Sequence, residues 1–84
     1  MKRLQIIVYI KPASVQCTAT LNTFKNKGVK PTIISVHDTS PALAIVKELG
    51  YLQAPVVIVH NNGEIVDHWS GFRPDKIEEL IKNS

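Results

Sequence analysis

From Leu4 to Ile10 the chain is almost unbroken apolar residues, Leu4-Gln5-Ile6-Ile7-Val8-Tyr9-Ile10, the pattern of a central strand covered on both faces. Past Val15 the spacing changes. Cys17, Leu21 and Phe24 recur at i, i+4 and i+7, which predicts a helix with a single inner stripe. Asn22, Lys25 and Asn26 fall on its outer side, and Gly28 ends it. Thr18, Thr20 and Thr23 are poor helix formers, so this helix depends on tertiary packing. Thr32-Ile33-Ile34-Ser35-Val36 reads as a second strand. Ser40 is placed to cap a second helix, with Pro41 at its first position, where a missing N–H costs nothing. Ala42, Ile45, Val46 and Leu49 form its expected buried stripe, and Gly50 stops it.

Pro55 precedes a third strand from Val56 to Val59. Asn61-Asn62-Gly63 is a strong hairpin turn into a fourth strand, Glu64 to about Trp69. After Ser70-Gly71-Phe72, Pro74 starts a last helix with Ile77, Leu80 and Ile81 on its inner face. Asp75, Glu78 and Glu79 lie toward its N-terminal end, which suits the helix dipole. The order is β-α-β-α-β-β-α. Crossovers through helices imply parallel pairing in the first half and the hairpin implies antiparallel pairing in the second. The economical arrangement is an α/β fold: one four-stranded mixed sheet with helices on both faces.

Eighty-four residues make a single domain, 1–84, near the low end of what folds without covalent staples. One cysteine excludes an internal disulfide, so the core must stabilise the fold, and 44% hydrophobic residues is a sufficient supply. No secretory leader is expected: Met1-Lys2-Arg3 is basic, but the apolar run behind it is short, β-branched and without a small-residue cleavage site. No stretch is long enough to span a bilayer, and the expected location is the cytoplasm. The net charge of +3 is scattered from Lys2 to Lys82 and only five aromatics could stack on bases. Nucleic acid is therefore not an expected partner; a mild positive charge better suits docking to an acidic protein surface. The expected state is a monomer.

The chemistry concentrates in Lys11-Pro12-Ala13-Ser14-Val15-Gln16-Cys17. A strand, a short loop and Cys-x-x-Cys at a helix start is how thiol–disulfide exchange proteins present their sulfurs. Residues three apart on a first turn are close enough to share a disulfide. A helix N-terminus and a nearby lysine such as Lys11 would stabilise a thiolate at the outer position. Here that outer position is Ser14 and only the inner Cys17 remains.

Three segments, Lys11 to Cys17, Gln53-Ala54-Pro55-Val56-Val57 and Trp69-Ser70-Gly71-Phe72-Arg73-Pro74-Asp75, together resemble the NrdH redoxins, a glutaredoxin-like branch of the thioredoxin superfamily. The resemblance implies the thioredoxin/glutaredoxin-like fold and a redox-active disulfide with no bound cofactor. Electrons would come from NADPH indirectly, through thioredoxin reductase, and pass to the large subunit of class Ib ribonucleotide reductase. It also implies that position 14 carries the nucleophilic thiol, that Cys17 resolves the mixed disulfide, and that Ala54–Pro55 is a cis peptide beside them. Val15 and Gln16 complete the site. Trp69, Ser70, Gly71, Phe72 and Arg73 would form a hydrogen-bonded network and a partner-facing surface, with Phe72 and Arg73 the more structural members. Ordinary glutaredoxins carry Thr-Val-Pro and a Gly-Gly turn for glutathione where this chain has Gln53-Ala54-Pro55 and Trp69-Ser70-Gly71-Phe72.

Ser14 departs from that pattern. A serine hydroxyl is too weak an acid to replace a thiolate, and nothing in the motif would activate it. Turnover is not expected of this form. An engineered replacement accounts for the otherwise coherent site; a natural one-cysteine protein is the alternative. Ser14 also has a purely structural role open to it, as the helix N-cap, and Cys17 can be read as a small buried hydrophobe. Lys11 can equally be a solvated loop residue. His37, His60 and His68 have no metal-site spacing, so no metal is expected. Two other functions stay in view: a glutathione-dependent glutaredoxin, and a non-catalytic thioredoxin-fold module that binds proteins.

Overall fold

A computed structural model describes residues 4–37 and 41–83. The elements are β1 (Leu4–Ile10), α1 (Val15–Asn26), β2 (Thr32–Ser35), α2 (Pro41–Glu48), β3 (Val56–Asn61), β4 (Glu64–Ser70) and α3 (Pro74–Lys82). The expected cap at Ser40 lies outside the described residues. The sheet runs β2-β1-β3-β4. β1 and β2 are parallel, as the helical crossover requires, and β3 then runs antiparallel to both β1 and β4. The central pair explains the apolar runs: Val56, Val57, Ile58 and Val59 of β3 are each no more than 1% exposed, because helices cover both faces.

Alternation along the strands divides the core in two. Val8, Val57, Val59 and Trp69 point to the face where Phe24 of α1 and Ile77 of α3 pack. Tyr9, Val56 and Ile58 point to the other, with Ala42 and Val46 of α2. Asn62 and Gly63 turn the hairpin with φ of +54° and +87°, the left-handed pair that a two-residue turn needs. No helix among the described residues is long and apolar enough to cross a membrane.

Three expectations need correcting. Ile45 is 43% exposed rather than part of the α2 stripe. The short helix meets the sheet through Ala42 and Val46, with Leu43 and Leu49 only partly buried at the sides. On α1 Thr20 is fully buried along with Phe24, while Leu21 is only partly covered. Val36 lies beyond the end of β2, yet it is buried and its N–H donates to the Ile10 carbonyl at 2.8 Å.

Candidate functional site

Between β1 and α1 the chain turns at Ala13, whose φ of +59° is unusual for a residue with a Cβ. Ser14 follows in extended conformation as the N-cap of α1, and its Oγ accepts from the Cys17 N–H at 3.3 Å. The Ser14 carbonyl accepts from the Thr18 N–H at 3.1 Å. Ser14 therefore performs the structural role open to it. Among the described residues no histidine or carboxylate hydrogen-bonds its hydroxyl, so nothing raises its nucleophilicity. Cys17, one turn in, is a free thiol only 3% exposed. Replacing Ser14 by alanine removes the cap and is expected to cost about 1 kcal/mol in urea unfolding; an unchanged midpoint would mean the bond contributes nothing.

The remaining motif residues form a framework around that helix start. Gln16 reaches across to the segment after β4, its Oε1 accepting from the Phe72 N–H at 3.1 Å. Gly71, at φ +82°, sits so close that an added Cβ would lie 3.2 Å from the same Oε1. The Gly71 N–H donates to the Pro55 carbonyl at 2.8 Å, and the Ser70 hydroxyl to the Gln53 carbonyl, also at 2.8 Å. The Ala54–Pro55 bond is cis. Three segments distant in sequence are thus tied by three hydrogen bonds. Truncating Gln16 to alanine frees the Phe72 amide, which should exchange about fivefold faster, the equivalent of roughly 1 kcal/mol. Unaltered exchange would show that the tie is not formed in solution.

The structure redistributes the roles expected after β4. Trp69 is 3% exposed, part of the core against Val57 and Ile77, with the Lys76 ammonium 5.4 Å from its ring centroid. Its inward side of β4 explains why it cannot present a surface to a partner. Pro55 is also fully buried, so a docking surface there consists of backbone and neighbours. Phe72, expected to be structural, keeps 37% exposure, and Val15 and Leu52 are 85% and 87% exposed. These three apolar side chains, one from each tied segment, are the exposed hydrophobic groups of the region. Arg73 does have a local structural role, gripping Asp75 through Nε and Nη2 at 3.1 and 2.8 Å and holding that carboxyl below the usual carboxylate range. Lys11 is exposed. Sequence reading missed the Tyr51 hydroxyl bonded to His68 Nδ1 at 2.7 Å, since only the packing of the loop after α2 against β4 brings those two rings together. Among the described residues no group of three His, Cys, Asp or Glu side chains could hold a metal.

A four-stranded mixed sheet between helices, with a cap residue and a cysteine on the first turn of α1 tied to a cis-proline loop, defines a thioredoxin-fold redoxin. The glutaredoxin family profile matches residues 6–66. Glutaredoxin-like protein NrdH of Escherichia coli K12 is 36% identical over 77 residues, covering 92% of this chain and 89% of that protein. The NrdH of Salmonella typhimurium LT2 is 32% identical over the same coverage. The solved NrdH-redoxin of Escherichia coli, described as glutaredoxin-like with a thioredoxin-like activity profile, superposes with a TM-score of 0.80 at 36% identity. That match covers 90% of this chain and 93% of the other. Spinach chloroplast thioredoxin f, at 15% identity and TM-score 0.71 over 98% of this chain and 76% of that one, shares the fold alone. The chain belongs to the glutaredoxin family, as a redoxin of the NrdH type.

Proposed function

We propose that this chain is the body of a protein-disulfide reductase whose attacking sulfur has been replaced by the Ser14 oxygen, an engineered substitution. With a thiol at position 14, the thiolate attacks a partner's disulfide, forming a mixed disulfide and releasing one partner thiolate. The Cys17 thiolate then attacks the position-14 sulfur, releasing the second partner thiolate and leaving an internal disulfide. Two electrons have moved to the partner, whose two thiolates take up protons from water. Thioredoxin reductase returns the pair to dithiol with electrons from NADPH. The chief acceptor in this reading is the large subunit of class Ib ribonucleotide reductase, in the cytoplasm. As it stands, the chain docks partners without turning over.

The observation that carries this reading is the Ser14 Oγ 3.3 Å from the Cys17 N–H. It puts the outer side chain at the helix N-terminus, where a thiolate would be stabilised. The electron route draws support from the thioredoxin-like activity of the solved relative, and from Gln53-Ala54-Pro55 and Trp69-Ser70-Gly71-Phe72 standing where glutaredoxins hold glutathione. Restoring the thiol by Ser14→Cys and following NADPH consumption with insulin as acceptor tests it. Turnover with thioredoxin reductase alone is the expected result. Turnover supported only by glutathione and glutathione reductase would move the protein to the ordinary glutaredoxins, and silence with both would leave a binding module.

A further inference from the structure

The two edges of the sheet differ. β4 is acidic at Glu64 and Asp67, and its pairing with β3 slips by one residue between Val59 and His60, leaving Val66 unopposed. Such a bulge twists an edge away from further pairing. β2, at the other edge, pairs with β1 in unbroken register. Just past β2 the Val36 N–H turns to β1 and donates to the Ile10 carbonyl. Backbone groups alternate in direction along a strand. The N–H and C=O of Ile33 and Ser35 therefore point away from β1, to the side where no described strand pairs. Thr32, Ile33 and Ser35 are all exposed. Alongside this edge, between the second half of α1 and the start of β2, runs a groove of about 370 Å³. Leu21, Val29, Pro31 and Ile33 give it apolar walls, and Ile33 keeps 51% exposure. Lys25 and Lys30 also line it; both are exposed and neither forms an ion pair among the described residues. Lys27, between them in sequence, is held by Glu78 at 3.5 Å. No acidic side chain among the described residues lines the groove.

Outward backbone donors and acceptors, an apolar trough and two unpaired cations are complementary to an extended chain that carries carboxylates. A second copy of this chain does not supply one. Its net charge is +3, and its acidic edge is the one the bulge disrupts. A cavity of roughly 150 Å³ accommodates a benzene, so the groove has room for an aliphatic side chain. We infer that the β2 edge receives an acidic, β-forming segment of a partner protein as a fifth strand. An aliphatic side chain of that segment lies against Val29 and Ile33, and carboxylates on the same face pair with Lys25 and Lys30. Same-face side chains of an extended chain recur at every second residue, which makes the recognised pattern acidic-x-aliphatic-x-acidic. Short edge strands flanked by lysine and proline resist indiscriminate pairing; Lys30 and Pro31 therefore restrict this edge to a partner that answers its charge. Lys25 stands about three turns along α1 from Ser14, roughly 16 Å. A segment bound at β2 leaves position 14 open, and the inference stands apart from the reductase reading.

The test titrates the blocked peptide acetyl-Glu-Thr-Leu-Thr-Glu-amide into the isotopically labelled full chain, with acetyl-Gln-Thr-Leu-Thr-Gln-amide as its neutral counterpart. The Glu peptide is expected to shift the amides of Leu21, Val29, Ile33 and Ser35. At low ionic strength it should bind about tenfold more tightly than the Gln peptide, and added salt should shrink that preference. Replacing both exposed lysines, Lys25→Glu with Lys30→Glu, should abolish the preference. Ser35→Pro removes an outward N–H while leaving the β1 ladder intact, a change that edge strands tolerate, and it should weaken both peptides alike. Equal binding of the two peptides by the parent chain, shifts confined to other faces, or undiminished binding by Ser35→Pro would each overturn the inference. So would a concentration-dependent dimer, seen by sedimentation, that Ile33→Asp dissociates, since the edge would then belong to a second copy.

Discussion

Truncating Phe24 to alanine is expected to remove about 3–5 kcal/mol of folding stability. Phe24 is fully buried, and its ring joins Val8, Val57 and Val59 of the sheet to Trp69 and Ile77. The loss combines the transfer free energy of the ring with the cavity left behind, because surrounding strands cannot collapse to fill it. A domain of this size has a total stability of roughly 4–13 kcal/mol by the usual per-residue range, so a substantial part disappears at one position. α1 is unusually dependent on that contact, since Thr18, Thr20 and Thr23 give it little helical tendency of its own. Its loosening would also release Ser14 and Cys17 from the geometry described above. Urea unfolding of Phe24→Ala beside Phe24→Leu would measure this. A loss below about 1 kcal/mol would mean that α1 does not close over the sheet through this ring.

The second large effect is a change of kind. Under mild oxidation the Ser14→Cys form should become two hydrogens lighter, lose both titratable thiols and acquire insulin reduction in the presence of thioredoxin reductase. The present chain should do none of these. One atom has this leverage because thiol–disulfide exchange needs a thiolate to attack and a thiolate to leave. An ordinary cysteine already titrates near pH 8.5, and helix N-termini lower that further, to about 3.5–7.5 in known cases. A serine hydroxyl makes no comparable anion in water. The inner thiol cannot substitute, since Cys17 is buried at 3% exposure and a partner's sulfur must approach closely. Replacing Cys17 by serine in the restored form should then trap the mixed disulfide with the acceptor. Two free thiols persisting after oxidation would show that the first turn of α1 does not bring the two positions together.

The elements with strong local signals were legible from pattern. Leu4–Ile10, the Asn62-Gly63 turn and the Pro74 start of α3 coincide with their expected positions, because period, turn chemistry and proline placement act within a few residues. So did the capping role of Ser14, whose partner lies three residues away. Errors arose where burial depended on a distant partner. An apolar residue such as Ile45 fits a helical stripe equally well whether or not a strand lies beneath it. Thr20 looks polar in sequence and is wholly buried because α1 faces the sheet there. Trp69 was expected on a partner-facing surface and is buried, since the direction a strand residue faces follows from register and not from its hydrophobicity.

Local pattern thus settled the order of the elements, the position of the helix start and the fact that one sulfur stands where exchange needs two. Those properties belong to single residues and short spacings. The site's framework required the folded chain. The bond from the Phe72 N–H to Gln16 Oε1 spans 56 positions, and the Tyr51–His68 pair spans 17. Each depends on how strands are ordered and which faces helices cover. Hydrophobic pattern says that a face is buried; it does not name what buries it.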